Sequence, residues 1–241
     1  VPAPILPYTA GRPLTLVRCD KGVKSPDALR SECKFLRHEP GWHRWVKEPI
    51  RRVEIKEQKK LGEYLIVDSP EGLVALVQGD IIEIHAWNST VERLETPDRV
   101  VFDLDPGADV AWSRVIAAAL ALRDELARLG LDSWVKLSGG KGLHVVVPFR
   151  PERGWDEVYE FSRAVAERAV RRDPHALTVE YGKARRQGKI LLDYKRYHLD
   201  AVAHPRAKED SIIHLSERMH SRTESRCPGA SARLGTPGGG H

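Results

Sequence analysis

The chain has 241 residues, 41% of them hydrophobic, with 39 lysines and arginines against 34 aspartates and glutamates, a formal net charge of +5 at pH 7. That length supports a sizeable core in one large domain or two small ones, and that hydrophobic share excludes a chain disordered throughout. The basic excess favours polyanionic partners; no run approaches the roughly 20 apolar residues of a membrane span, and the opening VPAPILPYTAGRPL lacks a basic-then-apolar leader, so a cytoplasmic protein with no membrane partner is expected.

In chain order, RPLTLVRC (12–19) and RRVEIK (51–56) read as short strands among loops. Cys19, Cys33 and Cys227 are too few and too scattered for a disulfide framework and read as incidental thiols. YLIVDS (64–69) is a strand, PEGLVALVQ (70–78) a short helix opened by Pro70, and IIEIHAW (81–87) a strand with His85 near its exit. The turn-rich NSTVERLETPD leads into VVFDLDPG (100–107), an apolar strand carrying Asp103 and Asp105. From Val110, the spacing of Trp112, Val115, Ile116, Ala119, Leu122, Leu126 and Leu129 predicts a helix that Gly130 stops. SWVKL and LHVVVP, joined by SGGKG, are too close for a crossover and predict an antiparallel hairpin. A second helix follows through Trp155, Val158, Phe161, Ser162, Val165 and Ala169, then LTVEYG, KILLDY and LDAVA as three more strands. Strands mixed with two long helices predict an α+β fold. Beyond residue 208, the Ser-, Arg-, Gly- and Pro-rich stretch has the composition of a disordered tail.

Four features bear on chemistry. Asp103 and Asp105 lie two apart on a strand, so both face the same way, and Pro106-Gly107 turns the chain where they end. Burying such a pair demands compensation by a metal, by Lys or Arg, or by water; a turn-initiating aspartate with a charged neighbour is the plainer alternative. In Ser138-Gly139-Gly140-Lys141-Gly142-Leu143-His144, glycines that let backbone N–H groups approach an anion, a lysine and two flanking donors resemble a phosphate cradle, or else form a Gly-rich hairpin turn. Asp193 interrupts ILLDY and either completes a divalent-metal site or pairs with Lys195 or Arg185. GKARRQGK (182–189) sets Lys183, Arg185, Arg186 and Lys189 ahead of it, either to reach phosphates or as a solvated basic hairpin. His85 taken alone reads as a structural histidine.

In this order, from about Gly11 to Lys208, GRPLTLVRC, LVALVQ, IEIHAW, RVVFDLDPG, VKLSGGKGLHVVVP, KARRQGKILLDY and the AVA strand resemble the polymerase domain of bacterial ligase D, in the archaeo-eukaryotic primase superfamily. The resemblance implies a primase-polymerase-like fold, a mixed or antiparallel central sheet flanked by helices with an irregular C-terminal tail. It implies a template-dependent nucleotidyltransferase extending a primer 3′ end in double-strand-break end joining. By it, Asp103, Asp105 and Asp193 would hold two divalent ions, Mn²⁺ or Mg²⁺. Ser138, Lys141, His144, Arg186 and Arg206 would hold the incoming NTP or dNTP with His85 beside it, and Arg18 and Phe35 would meet the template strand. Implied partners are DNA ends or primer-template, Ku and a separate ligase, in the bacterial cytoplasm and at the nucleoid when DNA-bound. The chain departs from the family pattern at Lys34-Phe35, where paired phenylalanines are usual, and at Tyr197-His198, where asparagine and glycine are usual. The expected organisation is a primase-polymerase-like domain over 1–208, truncated at its N-terminus relative to the family, with an atypical tail over 209–241 such as a frameshift would leave. The alternative reading is a truncated, catalytically impaired remnant that only binds nucleic acid or nucleotide.

Overall fold

Alternation along β1 (Leu14–Arg18) turns Leu14 and Leu16 inward and seats the first of two sheets. The computed structural model describes residues 5–23, 33–38, 49–56, 61–137, 140–182 and 186–195. They fall into two compact units that divide after Leu94.

In the first unit, a short helix α1 (Leu6–Thr9) precedes β1, which pairs antiparallel with β2 (Lys34–Leu36), β4 (Leu61–Ile66) and β5 (Ile81–Ala86). β3 (Arg51–Lys56) extends the sheet beyond β4. Helix α2 (Pro70–Gln78) begins where the sequence predicts: Ser69 Oγ accepts from the Gly72 N–H at 3.1 Å, and Pro70 fills the first turn, where an N–H would lack an intrahelical partner anyway. Its Leu73, Ala75 and Leu76 bury against Leu14, Leu16, Ile50, Leu65, Val67 and Ile81. Each large side chain so buried contributes about 1.5–3 kcal/mol.

The cysteine expectation is corrected here. Cys19 follows β1 and Cys33 precedes β2, and the antiparallel pairing of those strands brings their Cα atoms to 4.4 Å, where the two form a disulfide.

The second unit is a sheet in the order β7-β8-β6-β10-β9, built from β6 (Arg99–Pro106), β7 (Trp134–Leu137), β8 (Leu143–Pro148), β9 (Leu177–Thr178) and β10 (Ile190–Asp193). All its pairings are antiparallel except β9 with β10. Helices α3 (Trp112–Arg128) and α4 (Trp155–Arg172) supply Val115, Ala119, Leu122, Leu126, Val158, Phe161, Val165 and Ala169 to a core shared with Val100, Phe102 and Leu104 of β6. The α3 stripe is narrower than its periodicity predicts, because Trp112 and Ile116 are exposed and Glu125 is buried instead. Gly130, at φ +73°, ends α3 in the left-handed conformation that glycine adopts without penalty. LTVEYG also shortens, with only Leu177 and Thr178 in the ladder. Antiparallel and mixed sheets with few helices bear out the α+β expectation, although the strands divide between two sheets rather than one. Among the described residues, no helix is long and apolar enough to cross a membrane. The expected LDAVA strand, Ser138, Arg206 and the tail over 209–241 lie outside the described residues.

Candidate active site

Every second residue of β6 belongs to the helix-covered core, so Asp103 and Asp105 sit on the opposite face of the sheet. Register assembles a row across that face. Lys136 of β7 pairs with His144 of β8, His144 with Asp103, and Asp103 with Asp193 of β10, while Leu191 pairs with Asp105. Direct cross-strand neighbours have Cβ atoms about 4.5–5.5 Å apart, so three carboxylates from two strands share one patch.

Each carboxylate has a donor or cation beside it. Asp103, only 6% exposed, has His144 Nε2 at 3.5 Å from its Oδ1. Asp105 accepts from the Arg186 guanidinium at Oδ2, 2.8 Å. Asp193 Oδ1 accepts from the Tyr181 hydroxyl at 2.6 Å and from the Lys195 backbone N–H at 2.8 Å. Burial, then the bond to Asp193, push the Tyr181 phenol well above its ordinary value, so it stays protonated and donates. Like charges directly opposed across strands repel, and these partners offset that repulsion.

Two glycines of the motifs are explained by close packing. A Cβ on Gly142 would lie 2.4 Å from the Leu104 carbonyl oxygen and 3.5 Å from Asp103 Oδ1, so the Gly-rich loop re-enters the sheet directly beside Asp103. A Cβ on Gly107 would lie 2.8 Å from the Arg186 carbonyl oxygen. The basic turn is fastened there: Gly107 N–H donates to the Lys189 carbonyl, Gly188 N–H to Asp109 Oδ1, and Arg114 to the Gly188 carbonyl. This scaffold delivers Arg186 to Asp105. Lys141, between β7 and β8 in the chain, is exposed.

Asp103, Asp105, Lys141, His144, Arg186 and Asp193 are thus all in the second unit, and Arg18, Phe35 and His85 are in the first. Arg18 donates to the Gly79 carbonyl at 3.0 Å and to Asp80 at 3.3 Å. Phe35 is 68% exposed, its ring centroid 5.9 Å from that of His85, whose Nε2 lies 3.0 Å from Glu83 Oε2. Sequence reasoning missed Tyr181, Asp109 and Arg114. Asp109, two residues past Gly107, carried a weak signal; Tyr181 carried none beyond its place beside a basic run.

The family described as "LigD, primase-polymerase domain" matches residues 1–205. The chain is 37% identical over 186 residues to the multifunctional non-homologous end joining protein LigD of Pseudomonas aeruginosa, covering 77% of this chain and 21% of that protein. It is 29% identical over 200 residues to the multifunctional non-homologous end joining DNA repair protein LigD of Mycobacterium tuberculosis, covering 80% and 25%. It therefore spans about a fifth to a quarter of these relatives. Among solved structures, the polymerase domain from Mycobacterium tuberculosis ligase D in complex with DNA superposes with a TM-score of 0.69 at 27% identity, over 80% of this chain and 68% of that one.

Proposed function

Because the chain belongs to the LigD primase-polymerase domain family, we propose that it is a template-dependent nucleotidyltransferase that adds ribo- or deoxyribonucleotides to a primer 3′ end during non-homologous end joining. The observation that carries this reading is the register of Asp193 opposite Asp103, with Asp105 two residues on, beside the turn that bears Arg186. Three acids on one face next to a basic turn and a Gly-rich loop suit the charge pattern of phosphoryl transfer, where anionic oxygens must be neutralised and held in line.

The donor set fits divalent cations. Carboxylate oxygens are the hard ligands that Mg²⁺ and Mn²⁺ prefer, and the guanidinium on Asp105 is already a positive group accommodated on this face. As the side chains lie, no three His, Cys, Asp or Glu among the described residues converge closely enough to hold an ion. Asp105 leans on Arg186 and Asp193 on Tyr181, so loading calls for side-chain turns on an unchanged ladder. Asp103, Asp105 and Asp193 would be the ligands, and the ions when bound would activate the 3′-hydroxyl and neutralise charge at phosphorus.

Lys141, His144 and Arg186, with Ser138 and Arg206 outside the described residues, would bind the triphosphate, the guanidinium exchanging a carboxylate for phosphate oxygens of similar geometry. His85 would line the nucleotide, Phe35 would stack on a template base and Arg18 would contact its backbone. DNA as partner is supported by the DNA-bound state of the matching solved domain and by the net charge of +5. Ku and a separate ligase would act beside it in the bacterial cytoplasm.

Binding without turnover is the second reading, favoured by the engaged state of Asp105 and Asp193. Primer extension on a gapped duplex with Mn²⁺ separates the two. Templated addition by the wild type, reduced on the order of 10³-fold or more in Asp103→Ala, is expected. Duplex binding with no addition establishes the second reading, and extension indifferent to Asp103→Ala removes the assigned site.

A further inference from the structure

Arg186 opens a β-turn that closes on Lys189, whose N–H donates to the Arg186 carbonyl at 3.0 Å. Gly188 takes the third place of that turn at φ +67°, the left-handed value that favours glycine there. The turn's own bond uses neither the N–H nor the C=O of Gly188, and both find partners in the segment that follows the Asp103–Asp105 strand. Asp109 Oδ1 accepts from the Gly188 N–H at 3.1 Å, and the Arg114 guanidinium donates to the Gly188 carbonyl at 3.1 Å. Gly107 N–H holds the end of the same turn, donating to the Lys189 carbonyl at 3.0 Å. Asp109 and Arg114 are both exposed, where water would satisfy the Gly188 peptide nearly as well, so their bonds fix the place of the turn more than they stabilise the chain. What the turn carries is Arg186, whose carbonyl is tied into it while the guanidinium reaches out to Asp105. A long side chain that exchanges one anion for another does so accurately only from a backbone that stays in place.

We infer that Asp109 and Arg114 are positioning residues: by gripping the N–H and the C=O of Gly188 they anchor the turn from which the Arg186 guanidinium reaches the triphosphate of an incoming nucleotide. The inference rests on the reading of Arg186 as a phosphate ligand. Charge gives it a distinctive sign. Asp109 is a carboxylate bonded to the turn that bears Arg186, and by electrostatics alone its removal would strengthen the binding of a polyanion. A carboxylate that holds the turn in place has the opposite effect: its removal weakens that binding, and asparagine, which offers an oxygen without the charge, restores it.

The test is nucleotide affinity in the full chain. The non-hydrolysable analogue α,β-methylene-ATP, in buffer containing Mn²⁺, is titrated calorimetrically into wild type, Asp109→Ala, Asp109→Asn, Arg114→Ala, Arg114→Lys, Arg186→Ala and the Asp109→Ala, Arg186→Ala double variant, and a thermal midpoint is recorded for each. The expected result is binding about 3- to 10-fold weaker in Asp109→Ala and in Arg114→Ala, with midpoints within about 3 °C of wild type. Asp109→Asn and Arg114→Lys, which keep an acceptor and a donor, should bind within about twofold of wild type. The double variant should bind no more weakly than Arg186→Ala alone, because the grip acts only through that guanidinium. Affinity unchanged or tightened in Asp109→Ala, Asp109→Asn as weak as Asp109→Ala, or a loss of equal size with and without Arg186 overturns the inference, whatever the midpoints do. Wild type without affinity for the analogue, or Arg186→Ala binding it as wild type does, overturns it together with the reading of Arg186. Binding that depends on Asp109 and Arg114 in a chain that adds no nucleotide to a primer supports the positioning role while the polymerase reading fails.

Discussion

Asp103 and Asp193 stand directly opposite each other on neighbouring antiparallel strands, two carboxylates on one face with His144 on the far side of Asp103. A fold built for stability alone would not oppose like charges there, since such pairs cost about 0.2–1 kcal/mol. Asp193→Asn keeps an oxygen to accept from Tyr181 and Lys195 while removing the charge. In chelator-treated buffer this variant is expected to be as stable as wild type or more stable by up to about 1 kcal/mol, read by urea denaturation. Adding Mn²⁺ should stabilise wild type and leave the variant unmoved.

Gly107 is where the 186–189 turn packs closely against the end of β6. An added Cβ would meet the Arg186 carbonyl oxygen at 2.8 Å, Asp109 Oδ1 at 3.1 Å and the Lys189 carbonyl oxygen at 3.3 Å, and the two carbonyls are backbone atoms that cannot swing aside. Gly107→Ala should push the 186–189 turn away from β6 and cost about 1–3 kcal/mol. Nucleotide KM should rise about tenfold as the guanidinium is displaced, which steady-state extension kinetics would read.

Glu125 carries the joint between the two long helices. Its carboxylate, 3% exposed, is paired with Arg128 of its own helix at 2.9 Å, with Arg168 of α4 at 2.6 Å, and with Arg172. The three guanidiniums are themselves one-third to three-fifths exposed, so water recovers part of what they lose. Glu125→Ala should therefore lower stability by about 1–3 kcal/mol, measured by chemical denaturation, with Mn²⁺ affinity unchanged.

These features were unequally legible in the sequence. The strand with Asp103 and Asp105, the β7–β8 hairpin and helices α2, α3 and α4 were readable because their signals are local: alternation, a short Gly-rich link, Pro70 at a helix start, Gly130 at a helix end. Which strand lies beside β6 was not, since β10 and β8 reach it from far along the chain and no residue in KILLDY names its neighbour. Tyr181 became visible only once β9 and β10 were parallel partners. Trp112 and Ile116 kept helical spacing but fell outside the stripe that the sheet covers.

Cysteine arithmetic failed for the same reason. Scattered cysteines argue against a framework, yet the pairing of β1 with β2 brings Cys19 and Cys33 together across a separation of 14 residues. Closing a loop of that size removes about 3 kcal/mol of unfolded-state entropy. The Cys19→Ser, Cys33→Ser double variant should lose about that much in denaturant titrations under oxidising conditions, and dithiothreitol should bring wild type down to the same level.

The central claim is that Asp103, Asp105 and Asp193 together hold cations for nucleotidyl transfer. Anomalous diffraction from crystals of the chain grown with a primer-template, a non-hydrolysable nucleotide and Mn²⁺ tests it most directly. Manganese peaks bounded by oxygens of all three carboxylates, with Arg186 drawn from Asp105 onto phosphate, are the predicted result. Manganese bound elsewhere, or Asp193 still turned to Tyr181 with no ion against either oxygen, would contradict it.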